Sequence, residues 1–337
     1  MISRRRALKD GFAVVGTLAV AAPFVARAQM KPPVKVRYNE VVRSVLYTPA
    51  YVAMTKGYLT DAGIEITLTT AQGGDKSMAA LLSNDADIAL MGPEAAIYVL
   101  NSESPVKPRI FCGLTATSGF SFISRDKLPN FEFSMLKGKE ILGFRPGSTP
   151  LLFCEQAMRI KGIDPQRDVK MQNNVAIPAR VGAWLAGQYE YGIFDEPEVA
   201  QFELDGKGYY LASAGEIVGR ADYTCFMATD PYIRDHPDVL QNWTNAIYRA
   251  QQWTASASTQ ELVDILVPYF QGRSPQALAG GVEHFRRLKI WKETPVIEPG
   301  PIEKFQDILI EGHVLDPTKR VKFDDLIRPE FARKATS

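Results

Sequence analysis

Apolar and polar positions along this chain switch repeatedly between two periods, and the switches predict an α/β fold. The segment "VKVRYNEV" (34–41) has strand character, and "GIEITLTT" (63–70) alternates with the period of two of a half-buried strand. Between them, Thr48-Pro49 pairs a cap residue with a proline at the first helical position, and Gly57 marks the stop. Asp75 is placed to cap a helix carrying Met78, Ala79, Leu81 and Leu82. A short buried strand follows in "ADIALMG" (86–92), then two more in "PRIFCGLT" and "FSFISR".

The same order then starts again. "KEILGF" (139–144) reads as a strand, Thr149-Pro150 opens a helix that Gly162 ends, and "DVKMQN" is the next strand. Pro178 starts a helix that stops at Gly187, and "YEYGIF" runs into the acidic stretch "FDEPEVA" (194–200). Residues 66–96 can be laid over 169–200, which puts Leu82 on Leu185, Asp87 on Glu190 and Leu90 on Ile193. One inserted residue then brings Pro93-Glu94 onto Pro197-Glu198. Two related lobes are expected, each with a "PE" turn at a strand end. Open α/β sheets bind ligands beyond the carboxyl ends of their strands, so two facing edges make a cleft. After about residue 222 the strand "YTCFMAT" gives way to helical sequence, over 238–257, 260–270 and 301–311. The aromatic residues there (Trp243, Tyr248, Trp253, Tyr269, Phe270, Trp291) are expected to pack helix on helix.

The first thirty residues do not share this pattern. Arg4, Arg5, Arg6 and Lys9 precede an apolar run over 11–25, and Ala26-Arg27-Ala28 supplies a small-x-small cleavage pattern. The run falls short of the roughly 20 residues of a membrane span. Residues 3–9 also resemble a twin-arginine export motif, with Ala7 where an aromatic is usual. We therefore expect 1–28 to be an export signal and the mature chain to be periplasmic. Its removal, with five Arg or Lys and one Asp, takes the formal charge from +1 to −3. No later basic block appears, which argues against nucleic-acid or membrane-surface partners. Cys112, Cys154 and Cys225 each lie among apolar residues and read as buried thiols, with a single disulfide left open.

Candidate chemistry gathers at the expected strand ends. "FRPGST" (144–149) places Arg145, Gly147, Ser148 and Thr149 at a helix start, where free N–H groups favour an anion; an ordinary helix cap is the other account. In the other lobe, Gly74 and Lys76 in "QGGDKS" offer the same, without the spacing of a P-loop. Ser44 and Tyr47, just before the first helix, and Thr115, closing "PRIFCGLT", complete that side. Glu94, Asp195 and Glu196 sit where carboxylates would accept hydrogen bonds from an amine or ring N–H, or pair with Arg145 across the cleft. A helix first-turn acid is the other account, fitting Glu198 best and Glu94 next. No metal or cofactor is expected: hard cations want about six or more oxygens in a preformed loop, and adjacent acids cannot all converge. His236, His284 and His313 lie outside the cleft loops and read as solvated or packed surface residues.

The stretches "YTPAYVAMTKGYLTDAGIEITL", "GGDKSMAALLSNDADIALMGPEAA", "LKGKEILGFRPGSTP" and "GIFDEPEVA" resemble, in that order, the periplasmic solute-binding proteins of nitrate-, sulfonate- and taurine-type ABC importers. That group includes binders of riboflavin and of thiamine pyrimidine precursors. The resemblance covers about residues 34–330. It implies a two-lobed periplasmic-binding-protein fold of type II that closes on its ligand by hinge motion. Lobe 1 would span 34–125 plus 222–330, lobe 2 126–221, with 331–337 a tail. It further implies a small polar, anionic or zwitterionic ligand of sulfonate, taurine, nitrate or heterocycle type, an inner-membrane permease as partner and a monomer. The alternatives are an enzyme resembling thiamine-pyrimidine synthases, for which the chain lacks a cysteine cluster, and a periplasmic sensor.

Overall fold

The computed structural model describes residues 32–337, so the predicted export segment lies outside the described residues. The first strands are β1 (Val34–Glu40), β2 (Ile64–Thr70), β3 (Ile88–Met91), β4 (Pro108–Thr115) and β5 (Ser121–Ser124). They are followed by β6 (Glu140–Leu142), β7 (Lys170–Gln172), β8 (Tyr191–Phe194), β9 (Tyr209–Ser213) and β10 (Thr224–Thr229). Two sheets result, ordered β2-β1-β3-β10-β4 and β7-β6-β8-β5-β9. In the first, β1 is parallel to β2 and β3, and β10 runs antiparallel to β3 and β4. In the second, β6 is parallel to β7 and β8, and β5 runs antiparallel to β8 and β9. The two orders are the same order. The internal likeness seen in 66–96 and 169–200 therefore extends to whole sheets.

Small features repeat with it. Arg37 holds Asp87 at 2.5 Å ahead of β3, and Lys139 holds Glu190 at 2.9 Å ahead of β8. Both pairs are partly exposed, a setting worth about 0–1 kcal/mol each, so they mark register more than they add stability.

Two crossovers join the sheets. The chain leaves β4 through 116–120 and returns from β9 through 214–223. These segments bond to each other: Ala214 N donates to Phe120 O (3.0 Å), Ala221 N to Ala116 O (2.9 Å) and Tyr223 N to Thr115 O (3.1 Å). Thr117 Oγ1 donates to Gly219 O at 2.7 Å. Gly215 lies so close that an added Cβ would stand 2.0 Å from Ser118 O, and only glycine fits.

Three expectations change. Strand β5, expected with the first lobe, is flanked by β8 and β9 in the second sheet, so the chain crosses before residue 121 and not after 125. Residues 331–337 are no tail: the helix Glu330–Thr336 buries Phe331 and Ala332, with the Phe331 ring 6.1 Å from that of Phe111. Asp75 does not cap its helix, which starts at Gly74 after Gly73 and keeps Asp75 in its first turn. Strand β9 was not expected. An edge strand whose "YYLAS" is half-buried on both faces shows no alternation to read.

The helix Pro237–Ser256 covers the first sheet and wedges Trp243 between Tyr38 (5.2 Å) and Phe226 (5.4 Å), the packing role expected of the C-terminal aromatics. All three cysteines are free and buried. The second sheet has its own small core of Ile123, Leu142, Trp184, Phe194, Val199 and Phe202. Among the described residues no helix is long and apolar enough to cross a membrane. Trp184 is fully buried and donates Nε1–H to Lys207 O at 2.9 Å. Trp184→Ala should cost about 3–5 kcal/mol of folding stability in urea unfolding. A loss below about 1 kcal/mol would mean that this core does not rest on Trp184.

Candidate functional site

Beyond the carboxyl ends of β1, β3, β6 and β8 lies a cavity of about 340 Å³ walled by both sheets. The first sheet supplies Val41, Val42, Leu46, Tyr47, Met78, Gly92, Glu94 and Tyr98; the second supplies Phe144, Arg145, the turn through Thr149, and Asp195. Phe120 and Tyr223 close it from the two crossovers. Most of this wall is apolar or aromatic, the usual lining of a small-molecule site.

Hydrogen bonds join the sheets around the cavity. At its mouth Arg145 Nη1 meets Asp75 Oδ1 at 2.6 Å, and Tyr98 OH donates to Gly147 O at 3.0 Å. Deeper, Thr149 N donates to Glu94 Oε1 (3.3 Å) and Ser44 Oγ donates to Asp195 Oδ2 (2.7 Å). Thr149 opens the helix Thr149–Ile160, so Glu94 takes one of its free N–H groups from the opposite sheet.

Sequence reasoning brought seven of its candidates to this wall: Tyr47, Gly74, Glu94, Arg145, Ser148, Thr149 and Asp195. Four lie elsewhere. Ser44 is buried behind Asp195, and Thr115 Oγ1 sits 2.7 Å from Thr224 Oγ1 between β4 and β10. Lys76 points to solvent on the outer side of its helix. Glu196 turns away from the cavity, with Oε1 2.7 Å from His284 Nδ1 and Oε2 accepting from Ala200 N at 3.0 Å. His284 is accordingly no surface residue. It lies in a seam where the helix Pro275–Arg287 meets Glu198–Leu204, beside an Arg273–Glu198 ion pair at 2.8 Å. Their shared place at a strand end put Asp195 and Glu196 forward equally; long-range partners separate them.

Sequence reasoning missed Phe120, Phe144, Tyr98 and Tyr223. Tyr98 had a signal, since it lies one helical turn after Glu94. Arg180 was missed too. Its buried guanidinium lies 3.7 Å from the Phe144 ring centroid, behind the cavity wall, and donates to Gly143 O and Ile193 O. Burial lowers its pKa to about 10.

Electrostatics inside the cavity are unusual. Burial pushes the Glu94 carboxyl above its ordinary pKa. Asp195 is raised as well, first by burial and then by the neighbouring Glu198 carboxylate. The Tyr47 and Tyr223 phenols are pushed well up by burial. Glu94 Oε2, Thr149 Oγ1 and Tyr223 OH are all buried. The first two crowd the space over Gly92, where a Cβ would stand 2.0 and 2.2 Å from them.

A carboxyl whose folded pKa is raised binds its proton more tightly in the native state. Its stabilising contribution is present below the ordinary carboxylate range and is lost as pH rises through the raised value. Asp195→Asn should therefore flatten the fall in folding stability above that range, as read by urea unfolding across pH. An unchanged slope in the variant would assign the pH dependence to other groups.

Comparison with known proteins agrees with this architecture. The binding protein YtlA of Bacillus subtilis (strain 168) is 34% identical over 333 residues, 98% of this chain and 99% of that one. The periplasmic nitrate-binding protein NrtA of Synechocystis PCC 6803 superposes with a TM-score of 0.73 at 15% identity, over 90% of this chain and 88% of that one. The alkanesulfonate-binding protein SsuA of Xanthomonas axonopodis pv. citri, bound to MOPS, gives 0.68 at 15% identity over 85% and 96%. The desulfurization enzyme DSZB gives 0.66 at 15% identity over 90% and 98%, so the same fold also carries catalysis. These likenesses show the two-lobed α/β fold of periplasmic binding proteins. The NMT1-like family model matches residues 27–267, and this chain belongs to that family.

Proposed function

We propose that this protein is the exported, periplasmic solute-binding component of an ABC importer, which captures a small organic solute between its sheets and delivers it to a membrane permease. The observation that carries this reading is the cavity, enclosed by residues of both sheets and tied shut by hydrogen bonds between them. Capture by closure needs that geometry: contacts from the second lobe are added only when the lobes meet, so the solute shifts the open–closed balance by its differential affinity. The names of the relatives support it, since YtlA, NrtA and SsuA are all named as binding proteins, YtlA as "Putative binding protein".

A catalytic role has less support. The cavity wall holds no His, Cys or Lys among the described residues, so its Ser and Thr hydroxyls have no imidazole or amine base beside them. A bare small anion also fits poorly, because the one cation on the wall, Arg145, already faces Asp75. Thermal-shift screening of the mature protein against sulfonates, carboxylates, nitrate, taurine, flavins, pyrimidines and amines should find a stabilising class that mass spectrometry shows to be unaltered. Turnover of the hit would replace this reading with an enzymatic one.

Arg145 acts here as a latch. Arg145→Ala and Asp75→Asn break the same contact, so each should weaken solute binding by a similar factor, roughly three- to tenfold, in calorimetry. Loss confined to Arg145→Ala would instead make its guanidinium a direct anion receptor.

A further inference from the structure

We infer that the captured solute is a cation, an organic ammonium or amidinium seated between Glu94 and Asp195 with its apolar or aromatic body against the ring-lined wall. This rests on the capture reading above and adds the charge class. The inner wall carries acids without a matching base. Asp75 and Arg145 neutralise each other at the mouth, 2.6 Å apart. Arg180, the other guanidinium nearby, stands on the Phe144 ring and directs its donors to the carbonyls of Gly143 and Ile193; it interacts with the Asp195 charge but forms no ion pair with it. Glu94 and Asp195 are left facing the cavity with no ion-pair partner among the described residues.

The hydrogen-bond inventory points the same way. Glu94 is only 9% exposed; its Oε1 accepts from Thr149 N, and its Oε2 has only the neutral Thr149 hydroxyl beside it and no charged donor. A buried carboxylate oxygen without a charged donor is costly, and an N–H⁺ from a ligand is the partner that answers it best. Asp195 receives a side-chain donor on Oδ2 from Ser44. The hydroxyls of Tyr223, a residue 2% exposed, and Thr149, one 3% exposed, also stand at the wall and can accept from further N–H groups. Tyr47, Tyr98, Phe120 and Phe144 surround these acids with aromatic surface, which attracts cations through the ring quadrupole and repels anions.

Burial has raised both carboxyls, so an arriving cation and an arriving anion must move protons in opposite directions. A cation favours the ionised acids and releases protons. An anion can be received only by protonated acids, and takes protons up.

The test uses three matched probes on the mature protein: 2-phenylethylamine, 3-phenylpropionamide and 2-phenylethanesulfonate, each at millimolar concentration. Thermal shift ranks them, and calorimetry in two buffers of different ionisation enthalpy gives the sign of proton exchange. We expect the amine to stabilise most and to release protons near neutral pH. Glu94→Gln should weaken it roughly tenfold or more, the scale of one charge-assisted contact. If Glu94→Gln fails to fold, Asp195→Asn replaces it with the same expectation. Stabilisation by the sulfonate with proton uptake overturns the inference and leaves capture standing. Equal stabilisation by the amide without proton exchange removes the charge claim alone. If none of the three stabilises the protein, the cation inference fails; a hit of another class in the wider screen would leave capture intact, and no hit there would end it.

Discussion

Two carboxyl groups taken out of water with no ion-pair partner among the described residues are the constraint around which this cavity is arranged. Removing a carboxylate from water is expensive unless donors or a proton compensate it. The surroundings of Glu94 and Asp195 show that compensation being assembled from both sheets. Ser44, buried in the first, donates to Asp195 of the second, and the backbone of Thr149 in the second donates to Glu94 of the first. Gly92 contributes by lacking a side chain, which leaves the space that Glu94 Oε2 and Thr149 Oγ1 occupy. Each acid is thus completed by the opposite sheet, and the chemistry of the cavity exists only while the sheets are together.

Much of the scaffold was legible because it is periodic. Strand and helix signals recur in the same order in 66–96 and 169–200, and the sheets reproduce that recurrence down to the acid ahead of β3 and β8. The site was legible wherever it lies on a repeat unit: the turn through Thr149, Glu94 at one helix start and Asp195 at one strand end. What stayed hidden has no period. Phe120 and Tyr223 come from crossovers, whose side chains follow neither a helix nor a strand rhythm. Long-range pairing was equally unreadable. Nothing local says that Arg145 will meet Asp75, seventy residues away, or that Glu196 will turn to His284 while its neighbour faces the cavity.

The acidic stretch 194–200 shows the outcome in miniature. Asp195 faces the cavity, Glu196 binds a histidine across the seam, and Glu198 binds Arg273 just ahead of the neighbouring helix. One turn of chain thus supplies a cavity wall and two struts behind it. Similar residue types close in sequence carry different roles because a strand end and a helix start point successive side chains in different directions.

The paired crossovers carry a mechanical consequence. Two independent tethers would let the sheets twist, slide and splay separately. Here 116–120 and 214–223 are stitched together by backbone hydrogen bonds, with Gly215 pressed against Ser118. A hinge built as one such rod would confine relative motion of the sheets chiefly to a single rotation. The mouth latch, the bond to Glu94 and the Ser44–Asp195 contact all span the two sheets and would lie on that one coordinate. The cavity would then have one angle as its control variable.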